Sequence, residues 1–106
     1  MRRGEIRWLN RDAGVRQPLL VIQENEFNDS LIPTVVCVVI SGNLRVAHAP
    51  GNVFLSAKAS GLGRDAVANV AQLVTVERKY LAEPVGLLGG RLLREVDEGL
   101  RLALAI

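Results

Sequence analysis

Residues 34–40 read Thr-Val-Val-Cys-Val-Val-Ile and decide the fold, because they are apolar and mostly β-branched at both even and odd positions. This pattern is typical of a strand that is covered on both faces. Residues 41–43 (Ser-Gly-Asn) follow and predict a turn. The longest uninterrupted apolar run in the chain has six residues, whereas a membrane-spanning helix needs about 20. We therefore expect a strand over these residues that is buried on both faces.

Shorter strands are predicted before and after this segment in the sequence. Alternating apolar and polar residues predict a first strand over 4–9, and residues 10–17 form a polar connection. Pro18 then opens a second strand over 19–23, since a missing N–H is tolerated at a strand start. The acidic segment 24–30 predicts one or two helical turns. Later strands are predicted over 52–55, 66–70, 72–76 and 85–88.

In the last segment, 90–105, the apolar residues recur at three- and four-residue spacing, which predicts an amphipathic helix. Gly99 lies inside it at a cost of about 1 kcal/mol relative to Ala. With 106 residues the chain is expected to form one domain, 1–106. Five to seven strands and a terminal helix predict an α+β, mainly β fold, in which the helix covers the open side of a small antiparallel barrel. The apolar positions of the helix are Leu92, Leu93, Val96, Leu100, Ala103 and Leu104.

The charge of the chain is nearly balanced but unevenly distributed. Thirteen Lys and Arg face eleven Asp and Glu, a net charge of +2, and eleven of the thirteen bases are Arg. Arg grips phosphate bidentately, whereas Lys acts as a point charge. Residues 1–23 carry a net charge of +3, and residues 32–64 contain no carboxylate. Codon usage in a GC-rich genome explains the Arg excess equally well; the alternative is a positive groove for a polyanion.

Few side chains offer nucleophilic or metal-binding chemistry. Cys37 is the one cysteine, which excludes an internal disulfide and a four-thiolate site, and it is interpreted as core filler. His48 is the one histidine and is interpreted as a solvated loop residue, so we expect neither a zinc site nor a cofactor. The amino end lacks the pattern of a secretory signal, so a cytoplasmic protein is expected. Arg and hydroxyl groups remain, and such a pair can stabilise the charge of a pentacoordinate phosphorus without a metal, which is one of several functions that the composition allows.

Six blocks of sequence, in order and over nearly the whole chain, resemble toxins of the MazF/PemK type. The first is Met1-Arg2-Arg3-Gly4-Glu5-Ile6-Arg7-Trp8 and the second is Arg16-Gln17-Pro18-Leu19-Leu20-Val21-Ile22-Gln23. Each block alone is weak, whereas six in family order are fairly specific. The others are Val39-Ile40-Ser41-Gly42-Asn43, Pro50-Gly51-Asn52-Val53, Arg64-Asp65-Ala66-Val67-Ala68-Asn69-Val70 with Gln72, and Glu95-Val96-Asp97-Glu98-Gly99-Leu100-Arg101.

The resemblance implies an SH3-like barrel of the CcdB/PemK type and a homodimer. It implies a cognate MazE-like antitoxin and the cleavage of single-stranded RNA at specific sequences without a metal ion. In such enzymes the neighbouring 2′-OH attacks phosphorus and leaves a 2′,3′-cyclic phosphate and a 5′-OH. The alternatives are a non-catalytic barrel toxin that binds a protein target such as DNA gyrase, and a remnant that binds only its antitoxin.

The resemblance assigns catalytic roles to Arg16, which holds the scissile phosphate, and Ser41, which stabilises the oxyanion. Gln72 matches a family residue suited to base or backbone contact. Gln17, Asn43 and Arg45 complete the implied RNA-binding set. The alternative is that these residues have no catalytic or binding role. In that case Arg16 is a solvated loop residue, Ser41 is a turn hydroxyl and Gln72 is an ordinary sheet residue.

The sequence departs from the family pattern near the implied site. Gln17 separates Arg16 from Pro18, and a one-residue offset inside a strand reverses the face of a side chain. Because Arg16 precedes the predicted strand, either a loop brings it inward or Gln17 takes its place. Ser41 replaces Thr, Val74 stands where many relatives carry Arg, and the connection between the first two strands is shorter than usual.

Overall fold

The computed structural model describes residues 1–12 and 15–106. Within these ranges six antiparallel strands form one sheet in the order β4-β5-β3-β2-β1-β6. The strands are β1 (Glu5–Asp12), β2 (Val15–Val21), β3 (Thr34–Ser41), β4 (Val53–Leu55), β5 (Ala66–Glu77) and β6 (Gly86–Leu87). The helices are α1 (Asn25–Asn28), α2 (Ala57–Ser60) and α3 (Gly90–Leu104), with 3₁₀ helices at Leu44–His48 and Arg78–Tyr80.

The predicted strand over 34–40, covered on both faces, is confirmed as β3. β3 lies between β5 and β2, and its residues alternate between two apolar clusters. Val38 and Ile40 are fully buried in the larger cluster, which includes residues of β1 to β5 and of α3. Val35 and Cys37 are fully buried in the smaller cluster on the other face. Burial on both faces explains why this segment is apolar at every position from 35 to 40.

The predicted terminal helix is also confirmed, as α3, which packs against β4 and β5. Val96 and Leu100 bury its apolar face in the larger cluster. Gly99 is buried where the helix crosses Gly51, whose φ of +81° lies in the left-handed region. The opposite edge of α3 carries Asp97, which forms an ion pair with the Arg3 guanidinium. This helix therefore covers the sheet as expected.

The predicted polar connection over 10–17 is wrong, because β1 continues to Asp12 and β2 begins at Val15. Cross-strand pairing outweighs the low strand propensity of these polar residues. Pro18 consequently lies inside β2 rather than at its start, opposite Trp8 of β1. A register shift between Leu9 and Asp12 adds one residue to β1. Such a bulge bends the strand and redirects its side chains.

The two strands predicted over 66–70 and 72–76 are a single strand, β5. β3 pairs with both halves of β5, but the register shifts between Val38, which pairs with Leu73, and Val39, which pairs with Asn69. Residues 70–72 are therefore extra residues that bulge from β5. Two outer strands are shorter than predicted, at 53–55 and 86–87, and the 3₁₀ helices were not predicted. None of the described helices is long and apolar enough to span a membrane.

Candidate active site

One concavity of about 280 Å³ brings together residues that are distant in the sequence. Arg16 enters from β2 and Ser41 from the end of β3. Gln72 enters from the bulge in β5, and Arg64 from the turn that precedes β5. The remaining lining residues are Gln17, Pro18, Val39, Ile40 and Gly42. The concavity thus forms where β2, β3 and β5 are neighbours in the sheet.

Arg16 lies within β2, so the expectation that it precedes the strand is wrong. It is exposed at the strand end that faces the β1 bulge. Its Nε donates a hydrogen bond of 3.1 Å to Asn10 Oδ1. Its guanidinium carbon lies 4.5 Å from the centre of the Trp8 ring, which is a cation–π distance. Arg16 lines the concavity despite the one-residue offset from Pro18.

Gln17 also lines the concavity, and it has a structural task there. The register Leu19↔Val39 places Pro18 opposite Ile40. Proline has no N–H to donate across the ladder. Gln17 Nε2 instead donates a hydrogen bond of 2.8 Å to the Ile40 carbonyl. Both Arg16 and Gln17 therefore line the concavity. The two expectations, that Arg16 reaches the site or that Gln17 takes its place, do not exclude each other.

Ser41 lies at the last position of β3, where the chain turns away. Its Oγ accepts a hydrogen bond of 3.1 Å from the backbone N–H of Asn43. This is the contact expected of a turn hydroxyl. A serine hydroxyl carries one proton as well as two lone pairs, so accepting from Asn43 still leaves its O–H able to donate into the concavity. The turn contact and an oxyanion contact are compatible.

A chain of amides supports Gln72. Its Oε1 accepts from Asn69 Nδ2 at 3.3 Å, and Asn69 Oδ1 accepts from Asn52 Nδ2 at 3.3 Å. Asn52 in turn is fixed by the backbone, since its Oδ1 accepts from the Val70 N–H at 2.9 Å. Because the amide oxygen of Gln72 is used in this chain, its NH₂ group is the part suited to a ligand.

Two residues of the implied RNA-binding set do not line the concavity. Asn43 caps the 3₁₀ helix at Leu44–His48, where its Oδ1 accepts from the Arg45 N–H at 3.1 Å. Arg45 is exposed on that helix. Arg64 lines the concavity instead, although sequence reasoning gave it no role. Its position at the end of the carboxylate-free segment 32–64 was a partial signal, because charge alone does not place Arg64 beside β2.

Cys37 and His48 lie away from the concavity. Burial raises the pKa of the Cys37 thiol to about 12, which keeps the thiol neutral, and its interpretation as core filler is confirmed. His48 is exposed on a 3₁₀ helix, as expected for a solvated residue. Among the described residues, no three His, Cys, Asp or Glu side chains lie close enough together to hold a metal ion.

The lining of the concavity suits an anion. Two guanidinium groups, the Ser41 hydroxyl and the Gln72 amide are available as hydrogen-bond donors, and the described lining includes no carboxylate. Guanidinium groups bind phosphate through paired, charge-assisted hydrogen bonds. Donors that are fixed in place also stabilise negative charge that develops during a reaction. The arrangement is suited to a phosphodiester that gains charge at phosphorus.

The chain is similar in sequence to known toxins and endoribonucleases. Residues 2–104 match the family model described as the PemK-like, MazF-like toxin of type II toxin–antitoxin systems. The chain is 45% identical over 89 residues to endoribonuclease MazF6 of Mycobacterium tuberculosis, covering 84% of this chain and 78% of that protein. It is 33% identical over 94 residues to endoribonuclease EndoA of Bacillus subtilis, covering 89% and 79%.

Solved structures show the same fold. An endoribonuclease in complex with its cognate antitoxin, from a mycobacterial species, superposes with a TM-score of 0.83 at 20% identity and covers 100% of this chain and 96% of its own. A MazE–MazF crystal structure from Deinococcus radiodurans gives 0.81 at 20% identity, with 100% and 96% covered. The expected mainly β barrel with a terminal helix is therefore confirmed.

Proposed function

Because the chain belongs to the PemK-like, MazF-like toxin family of type II toxin–antitoxin systems, we propose that it is the toxin of such a pair and that it cleaves single-stranded RNA at the concavity. The similarity to two proteins named endoribonucleases supports the activity. The observation that carries the proposal is the shared concavity of Arg16, Arg64 and Ser41. We propose that the domain comprises residues 1–106, acts as a homodimer in the cytoplasm and needs no metal ion.

In the proposed reaction, Arg16 and Arg64 bind the scissile phosphate. The 2′-oxygen of the preceding nucleotide forms a bond to phosphorus and loses its proton to solvent. The bond to the 5′-oxygen breaks, and this oxygen takes a proton from solvent. The products are a 2′,3′-cyclic phosphate and a 5′-OH. A guanidinium has a pKa above about 12 and is a poor base, so Arg16 contributes chiefly by stabilising the added charge at phosphorus.

Ser41 and the two glutamines complete the proposed site. The Ser41 O–H donates to a non-bridging oxygen of the pentacoordinate phosphorus. Gln72 offers its NH₂ group to a base or to the RNA backbone, because its oxygen is held by Asn69. Gln17 offers its Oε1, because its nitrogen is held by the Ile40 carbonyl. Arg45 and the neighbouring Asn43 lie outside the concavity. Their proposed contacts are therefore with RNA nucleotides farther from the scissile phosphate.

The proposed partner is a MazE-like antitoxin with a disordered acidic and apolar tail. Such a tail folds as it binds. Its carboxylates would compete with RNA phosphates for Arg16 and Arg64, so that a bound antitoxin excludes the substrate. The structural neighbours determined with an antitoxin support this part of the proposal through their shared fold alone.

The test is an incubation of the purified protein with a long RNA in excess chelator. We expect discrete fragments that end in a cyclic phosphate. Arg16→Ala should lower the cleavage rate by at least about 100-fold, the loss that follows removal of a charge-stabilising donor. His48→Ala is the matched control and should cleave normally, because His48 does not line the concavity. RNA that stays intact at high enzyme concentration would overturn the proposal.

A further inference from the structure

Arg16 is held from two directions by residues of the neighbouring strand β1. The Trp8 ring lies against its guanidinium, with 4.5 Å between the guanidinium carbon and the ring centre. Asn10 accepts the Nε hydrogen bond at 3.1 Å. Trp8 pairs with Pro18 across the hairpin, so its ring reaches the diagonal neighbour Arg16. The two contacts use one face of the guanidinium and its inner nitrogen.

We propose that Trp8 and Asn10 are positioning residues that orient Arg16 for the scissile phosphate. This inference rests on the proposed function, because it concerns the same site. With Nε bonded to Asn10 and one face covered by Trp8, the two terminal nitrogens are the donors directed to a ligand. Paired donation from the two terminal nitrogens is a geometry that guanidinium groups use on phosphates.

The physical need for such positioning comes from the exposure of Arg16. An exposed Arg side chain samples many rotamers, and the side-chain entropy lost on ordering it opposes stabilisation of the transition state. A ring and a hydrogen bond that order it beforehand remove part of this cost. The β1 bulge, which places two residues opposite Arg16, directs Asn10 to this position. The bulge in β1 therefore contributes to the positioning of Arg16, because it brings Asn10 within hydrogen-bond distance.

A double-mutant cycle distinguishes positioning of Arg16 from a merely structural role of Asn10 and Trp8, because only positioning makes the effect of Asn10→Ala on kcat depend on Arg16. We expect Asn10→Ala to lower kcat by about 10-fold, which corresponds to about 1.4 kcal/mol, with KM changed little because Arg64 still binds the RNA. In an Arg16→Ala background the same substitution should change kcat no further. Trp8→Phe, which keeps an aromatic face, should retain more activity than Trp8→Leu.

The single tryptophan of the chain gives a readout that does not need RNA cleavage. With excitation at 295 nm, Arg16→Ala should shift Trp8 emission to longer wavelength and raise its quenching by acrylamide, because the ring loses its cover. Lys79→Ala is the matched control: it removes a cation 5.2 Å from the ring of Tyr80 rather than from that of Trp8, and Trp8 emission should not change. Urea unfolding midpoints identify any variant that is destabilised.

Two results would overturn the inference. One is unchanged Trp8 emission in Arg16→Ala. The other is an equal kcat loss from Asn10→Ala with and without Arg16. If no variant cleaves RNA but the emission shifts as expected, then the proposed function fails while the contact between Trp8 and Arg16 stands. Failure of the proposed function and failure of the positioning are therefore distinguishable.

Discussion

Replacing Gly99 by Ala tests how α3 packs on the rest of the molecule. A Cβ at Gly99 would overlap the backbone carbonyl oxygen of Gly51, far inside van der Waals contact, and would lie 3.1 Å from Val70 Cγ1. The overlapping atom belongs to backbone, which cannot rotate away like the end of a long side chain. Helix α3 would have to move away from β4 and β5, and Val96 and Leu100 would lose part of their packing.

Two opposing effects set the magnitude of this substitution. Ala is favoured over Gly inside a helix by about 1 kcal/mol. Overpacking of a filled interior costs about 1–3 kcal/mol and occasionally more, and an overlap with backbone belongs at the upper end of that range. The net expectation for Gly99→Ala is a loss of about 2 kcal/mol in the free energy of unfolding. At about 4 °C per kcal/mol, Tm falls by about 8 °C.

The assay is urea unfolding followed by circular dichroism at one fixed protein concentration, since an oligomer's stability depends on concentration. Gly90→Ala is the matched control in the same helix. A Cβ there would meet only the flexible Arg94 Nη1, at 3.1 Å, so the unfolding free energy of Gly90→Ala should not fall and should rise by up to about 1 kcal/mol from helix propensity. If Gly99→Ala were as stable as the parent chain or more stable, helix propensity would govern this position and the packing argument would fail.

Three further predictions concern the concavity and the core. Ser41→Ala should lower kcat about 100-fold, as removal of an oxyanion donor does, whereas Ser41→Thr, which keeps the hydroxyl, should stay active; equal loss in both would argue against oxyanion stabilisation. Arg64→Ala should raise KM for RNA at least about 10-fold, since hydrogen bonds to charged groups contribute about 1.5–3 kcal/mol; an unchanged KM would remove it from the site. Cys37 has its pKa raised to about 12 by burial, so the folded protein should resist iodoacetamide at pH 8 and react only after unfolding, and rapid labelling would contradict its burial.

Strand β3 and helix α3 were predictable because the pattern of apolar residues that indicates each one lies within one continuous segment. The apolar run over 34–40 and the three- and four-residue spacing of α3 need no knowledge of partners. The polar strand ends between Asn10 and Gln17 were not predictable, because their strand conformation comes from pairing with each other across the hairpin. The bulge at residues 70–72 likewise has no local signature, so β5 was divided into two strands.

The candidate site was predictable in part. The family resemblance identified Arg16, Ser41 and Gln72, which line one concavity. The addition of Arg64 required the three-dimensional arrangement, since the turn before β5 reaches β2 only in the folded chain. Gly99 shows the same limit in the core: the sequence indicates only its cost inside a helix, whereas its contact with Gly51 is visible only after folding.

The bond from the Gln17 amide to the Ile40 carbonyl has a consequence for how this hairpin can evolve. Any residue other than proline at position 18 would supply the missing N–H and make the Gln17 amide redundant there. Gln17 would then be free to change, or to turn its whole amide toward a ligand. Substitutions at 17 and 18 are therefore expected to be coupled, and a library randomised at both should recover active variants changed at 17 chiefly where 18 is no longer proline.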